Sequence, residues 1–184
     1  MKLFLLFAAA AAFVQVNSNS GIVEKSESPN GLYHIENTFT SDGTYFAVVT
    51  RNEVNVSPPF QSDFSILRSI ALQCKLTRIF WRSDSSYFVL DSGHDRHHGD
   101  FLVVQKEGNA FQLLPFDVEK IFATSKLHAA FLYPDFKIWL PHNQLGIQIQ
   151  GFNGMNSFCD VDFVLDLTNQ LKVVSFKVGL DHKY

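Results

Sequence analysis

Ile79-Phe80-Trp81-Arg82-Ser83-Asp84-Ser85-Ser86-Tyr87-Phe88-Val89-Leu90 sets an apolar run, a short polar break and a second apolar run end to end. Asp followed by small residues is turn chemistry, because the carboxylate accepts from the amides just ahead of it. Aromatic and β-branched residues on either side suit strands. The stretch therefore reads as a turn that enters a strand. Its frame is a bulky or extended residue, a polar one, Pro or Ser, Asp or Asn, Gly or Ser, any residue, then Tyr. Glu27-Ser28-Pro29-Asn30-Gly31-Leu32-Tyr33 and Phe39-Thr40-Ser41-Asp42-Gly43-Thr44-Tyr45 share that frame. Leu132-Tyr133-Pro134-Asp135-Phe136-Lys137-Ile138 reads as a fourth, worn copy.

Outward from these turns, nearly the whole chain reads as strands. Leu32 to Asn37 and Thr44 to Thr50 flank one turn, and Tyr45 to Val49 has the composition of a strand buried on both faces. Ser57-Pro58-Pro59 breaks the chain. Beyond it, Phe60, Phe64, Leu67, Ala71 and Cys74 sit at helical spacing. Alternation through Phe64, Ile66, Ile70, Leu72, Cys74, Leu76 and Phe80 fits more positions, so two strands are expected. Tyr87 to Asp91 pairs with Phe101 to Lys106, and Glu107-Gly108-Asn109 turns into Phe111 to Leu114. Asp117 predicts the cap of one short helix, with Glu119 near its positive end. Later strands are expected at Leu127 to Tyr133, Lys137 to Leu140, Gly146 to Gly151, Phe158 to Asp166 and Leu171 to Val178, with Thr168-Asn169-Gln170 turning the last hairpin.

The N-terminus has another logic. Met1-Lys2, an apolar run from Leu3 to Val14 and the polar Gln15-Val16-Asn17-Ser18 have the layout of a secretory signal peptide covering 1–18. The run is shorter than the roughly 20 residues of a membrane-spanning helix. A loose leader (19–28) and a single domain (29–184) are expected to follow, in a secreted or periplasmic setting. Charged residues are sparse at 18%, aromatics reach 14%, and the net charge is −3. That balance suits a packed domain, and the absence of a basic stripe argues against nucleic acid as a partner.

The recurring phrase resembles the blade motif of WD40-like β-propellers of the TolB and dipeptidyl-peptidase type, Trp-Ser-Pro-Asp-Gly-x-Tyr followed by apolar residues. Ile79 to Leu90 is the best copy, and Asp162-Phe163-Val164-Leu165-Asp166-Leu167-Thr168-Asn169-Gln170-Leu171 is similar to the outer hairpin of such a blade. The anchors Asp42, Asp84 and Asp135 lie about 40–50 residues apart, the length of one four-stranded blade. Pro is replaced by Ser in two copies, and Trp is clear only at Trp81. The resemblance implies an all-β, propeller-like antiparallel repeat domain of about three blades with at most one short helix. Closed propellers carry more blades. An open propeller-like stack, a β-sandwich or barrel that reuses the turn, and self-association that completes a ring are the three architectures left.

Candidate chemistry is thin. His94, His98 and Asp100, in a loop also holding Asp95 and His97, are residue types that ligate divalent metals. A solvated hairpin loop is the competing reading. Cys74 and Cys159 could form a disulfide in an oxidising compartment, or lie apart as two small buried thiols, and the second reading is preferred. Asp160 and Asp162 fall on one strand face, read as solvated. Asn55-Val56-Ser57 matches a glycosylation acceptor. Phe39, Trp81, Phe131 and Trp139 read as core packing. No nucleophile elbow, phosphate loop or His-Glu-x-x-His occurs. The leading expectation is an exported, non-enzymatic protein, without cofactor, that binds a protein partner through its loops. A metal-binding protein or metal-dependent enzyme using the His94 to Asp100 loop and a secreted enzyme inhibitor are the alternatives.

Overall fold

A computed structural model describes residues 25–41, 43–52, 65–72, 78–91, 100–153, 157–179 and 182–183. They form an all-β fold of three antiparallel sheets taken one after another along the chain. Sheet 1 holds β1 (Lys25–Glu27), β2 (Tyr33–Phe39), β3 (Tyr45–Arg51) and β4 (Ser65–Leu72) in that order. Sheet 2 repeats the plan with β5 (Arg78–Trp81), β6 (Tyr87–Asp91), β7 (Phe101–Glu107) and β8 (Ala110–Leu113). Sheet 3 holds β9 (Phe131–Leu140), β10 (Gln144–Phe152), β11 (Ser157–Asp166) and β12 (Lys172–Val178), with β13 (His182–Lys183) pairing β11 beyond the end of β12. Within each run of four, strands consecutive in the chain are antiparallel neighbours in the sheet.

The sheets stack with sheet 2 in the middle. On β6, Phe88 and Leu90 pack with Tyr33, Ile35, Ala47, Val49 and Ile70 of sheet 1. The alternate residues Tyr87 and Val89 pack with Leu145, Ile147, Ile149, Val161 and Phe163 of sheet 3. All five residues of β6 are consequently buried. Each fully buried Leu or Val side chain there contributes about 1.5–3 kcal/mol as an upper estimate. Burial on both faces thus belongs to β6. On β3, where the sequence suggested it, Ala47 and Val49 are buried but Phe46 and Val48 are only half-buried. Sheet 1 ends the stack, and these two residues lie outside the core that it shares with sheet 2.

The helix α1 (Val118–Ala123) forms where Asp117 caps it, the carboxylate accepting from the Lys120 amide at 2.9 Å. Ile121 and Phe122 bury its inner side in the core between sheets 2 and 3. Gly151 on β10 is what lets the helix lie so close. A Cβ there would stand 2.8 Å from both Phe122 Cζ and Ala129 Cβ.

Several expectations meet small corrections. The segment from 60 to 80 supplies the strands β4 and β5, as alternation indicated. Residues 25–27, read as the end of a leader, pair with β2 as β1. The two strands expected between 127 and 140 are one continuous β9. Phe131 is 51% exposed rather than packed in the core. Phe39, read with it, has no described side chain.

Candidate functional site

The recurring phrase takes up the first turn of sheets 1 and 2, between β1 and β2 and between β5 and β6. The backbone is the same in both. Ser28 N–H donates to Tyr33 O at 2.9 Å and Gly31 N–H to Ser28 O at 2.8 Å. Arg82 N–H donates to Tyr87 O at 2.9 Å and Ser85 N–H to Arg82 O at 2.9 Å. The anchor side chain locks each turn. Asn30 Oδ1 accepts from the Leu32 amide at 3.1 Å, and Asp84 Oδ1 accepts from the Ser86 amide at 2.9 Å. Phe39 to Tyr45 holds the turn between β2 and β3, so two copies belong to one sheet.

The fourth copy lies elsewhere than expected. Leu132 to Ile138 sits inside β9, where Asp135 is a ladder residue opposite Gln148. The first turn of sheet 3 is instead made by Trp139-Leu140-Pro141-His142-Asn143-Gln144-Leu145. His142 replaces the acidic anchor, Asn143 replaces Gly or Ser, and Leu145 replaces Tyr. Pairing there is one residue tighter, with Trp139 opposite Leu145 where Trp81 stands opposite Phe88. A signal for it was in the sequence, since Trp and Pro hold their frame positions.

The fifth frame position unites the three turns. Gly31, Ser85 and Asn143 have φ of 68°, 58° and 56°. Glycine takes this left-handed conformation without steric cost, and Asn takes it more readily than most residues. Ser85 and Asn143 put a side chain to use there. Ser85 Oγ accepts from the Asn30 amide of the preceding turn at 3.2 Å. Asn143 Oδ1 accepts from Arg82 Nη1 of the preceding turn at 2.6 Å. Each sheet is thereby stitched to the one before it.

A second set of bonds ties each first turn to the third strand of its own sheet, at or just past its end. Asn52 N–H donates to Leu32 O at 2.8 Å, Lys106 N–H to Ser86 O at 2.8 Å, and Leu167 N–H to Asn143 O at 2.9 Å. Arg82 is the hub, 3.3 Å from Asp84 Oδ2 through Nε and 5.6 Å above the Tyr87 ring. Burial works to raise the Asp84 pKa, but the Ser86 hydroxyl and amide and the Arg82 charge outweigh it and hold the carboxyl below its ordinary range. Burial pushes the Tyr87 phenol up, with Arg82 opposing and the Asp84 and Asp166 carboxylates adding to the rise. The outcome is a locked row of turns along one end of the stack. Pro29, Leu32, Ser83, Pro141 and His142 are exposed on it.

The opposite end carries a different cluster. Arg78 on β5 pairs through Nη2 with Asp91 on β6 and lies 3.0 Å from Asp135 Oδ1 on β9. Phe80 stacks on Phe136 beside it, centroids 4.2 Å apart and planes 15° apart. One guanidinium shared by two carboxylates across sheets 2 and 3 is a structural clasp.

Of the residues singled out for metal binding, His94 and His98 lie outside the described residues. Asp100 stands half-buried at the start of β7, next to Phe101, which pairs with Asp91. Among the described residues no group of three or more His, Cys, Asp and Glu is placed to hold a metal ion. The candidate disulfide has Cys74 outside the described residues. Cys159 is buried, its Sγ 3.7 Å from Gly151 O. Asn55-Val56-Ser57 also falls outside them. Asp160 and Asp162 do share one face of β11, opposite Gln150 and Gln148. Trp81 and Trp139 pack at the margins of the two cores. No helix among the described residues is long and apolar enough to cross a membrane.

Compared with protein-family models, with curated proteins and with solved structures, the chain matches none.

Proposed function

We propose that this chain is an exported, non-enzymatic, propeller-like scaffold of three blades that binds a protein partner through the first turns of its sheets. The supporting observation is the stitched row itself. Binding residues are most often carried on loops held by a rigid framework, and here two sets of hydrogen bonds fix the turns across three sheets. Such fixing lowers the ordering cost that a partner would otherwise meet on binding. The exposed Pro29, Leu32, Pro141 and His142 mix apolar and polar contact along the row, a composition that suits protein recognition. Three consecutive four-stranded meanders, with the Asp/Asn turn opening each or replaced by His-Asn, support kinship with WD40-like blades. The basic start and apolar run before Ser18 support export.

A photo-crosslinking residue placed at Leu32 or His142 tests the reading in the exported fraction. One defined protein adduct is expected from both positions and none from Glu119, exposed on α1. Equal labelling from all three, or no discrete adduct from the row, would sink the proposal.

A further inference from the structure

The first turn of sheet 1 places an asparagine anchor directly before glycine, as Asn30-Gly31, where other copies of the frame carry Asp42 and Asp84. In such a pair the backbone nitrogen of the glycine can attack the asparagine side-chain carbon. Glycine leaves that approach most open because it has no Cβ. The bond from Gly31 N to Asn30 Cγ forms, the Cγ–Nδ2 bond breaks, and ammonia leaves carrying the Gly31 amide proton. Water then opens the five-membered imide. Cleavage at Cγ gives aspartate. Cleavage at the main-chain carbonyl gives isoaspartate, whose backbone runs through Cβ and Cγ and is one atom longer. Asn30 is exposed, so water reaches the imide and ammonia can depart.

The folded turn restrains the attacking atom. Gly31 N–H donates to Ser28 O at 2.8 Å, and Gly31 O accepts from Asn52 Nδ2 at 2.9 Å. The nitrogen must shed its proton and swing toward Cγ, and both bonds oppose that. Asn30 is held as well. Its amide donates to Ser85 Oγ at 3.2 Å, and its Oδ1 accepts from the Ser28 hydroxyl at 2.8 Å and the Leu32 amide at 3.1 Å. We infer that Asn30-Gly31 is a deamidation site gated by the fold, closed while the turn is made and open when it frays or before the chain has folded. Aspartate fits the turn, because Asp84 makes the equivalent bond to the Ser86 amide at 2.9 Å. Isoaspartate, with its longer backbone, cannot keep both the bond from Gly31 to Ser28 and the stitch from residue 30 to Ser85. That branch loosens the first turn of sheet 1 from the first turn of sheet 2.

Incubating the full chain at mildly alkaline pH, with and without urea, and following residue 30 by peptide mass tests this. Deamidation should run at least about tenfold slower in the folded chain, because there it waits on local opening. Asn52→Ala removes the bond to Gly31 O and leaves the reacting atoms intact. It should speed the reaction several-fold in the folded chain and leave the rate in urea unchanged. Should that variant fold poorly, hydrogen exchange at the Gly31 amide of the native chain gives an independent reading, and slowed exchange is expected. The isoaspartate form should melt below the native chain, and Asn30→Asp close to it. Equal rates in the folded and urea-unfolded chain, a folded Asn52→Ala variant that reacts no faster, an unprotected Gly31 amide, or an isoaspartate form as stable as Asn30→Asp would each overturn the inference.

Discussion

Replacing Ser85 separates two roles that one residue fills. Its backbone has φ of 58°, a conformation that costs a residue with a Cβ about 1–2 kcal/mol. Its hydroxyl, on a side chain in a residue only 1% exposed, accepts from the Asn30 amide and so joins turn to turn. Ser85→Ala keeps the Cβ and removes the acceptor. Asn30 is exposed, so water can take over part of the lost bond, and the expected cost is about 1 kcal/mol. Ser85→Gly loses the same bond and relieves the left-handed strain, but adds about 0.5–1 kcal/mol of unfolded-chain freedom. The net is a loss of about 0.5 kcal/mol or less, placing Gly between the native chain and Ala. Urea denaturation with a shared slope resolves the series, and each kcal/mol moves the melting midpoint by about 2–4 °C in a domain of this size. Should Gly prove no better than Ala, the left-handed strain assigned to Ser85 is wrong. Should Ala equal the native chain, the stitch to Asn30 contributes nothing.

Three further outcomes follow from the geometry. Gly151→Ala forces a methyl into Phe122, Ala129 and Cys159, and should cost about 1–3 kcal/mol by urea denaturation; a neutral result would mean that α1 shifts freely. Arg78→Met strips the cation from the 2%-exposed Asp91. The 3–5 kcal/mol typical of a broken buried pair is discounted to about 2, because the Arg78 side chain is 41% exposed. Asp135→Asn, on the more exposed carboxylate, should cost less, and a reversed order would refute the assignment. Asp84 and Asp166 are held below the ordinary carboxyl pKa, Asp166 chiefly by the Thr168 hydroxyl and amide. Their contribution is therefore complete above the unfolded pKa and disappears as pH falls through the lower folded value. Melting temperature should drop between about pH 5 and pH 2, and Asp84→Asn should flatten that slope; an unchanged slope would refute the role given to Asp84.

Much of the fold was legible because turn chemistry is local. Asp84 and Asn30 bond to amides two residues ahead, so the frame announces the turn from a handful of letters. Asp117 announced α1 for the same reason. The turn at Trp139 to Leu145 escaped because Asn143 replaces glycine at the left-handed position and His142 replaces the carboxylate, while Pro134-Asp135 imitated a turn inside β9. The stitches themselves could not be read, since Asn30 with Ser85 and Arg82 with Asn143 are distant in sequence. The face that Phe46 and Val48 present was equally hidden. Whether an apolar strand is covered once or twice depends on the position of its sheet in the stack.

The two-sided burial of β6 makes sheet 2 a shared wall between the cores. A change of shape at Phe88 or Leu90 moves the backbone that also carries Tyr87 and Val89 against sheet 3. Packing disturbances in either outer sheet are therefore transmitted through one layer of backbone, and neither outer sheet can separate without uncovering half of that wall. The repeats are alike in plan, yet the middle one ties their unfolding into a single cooperative event.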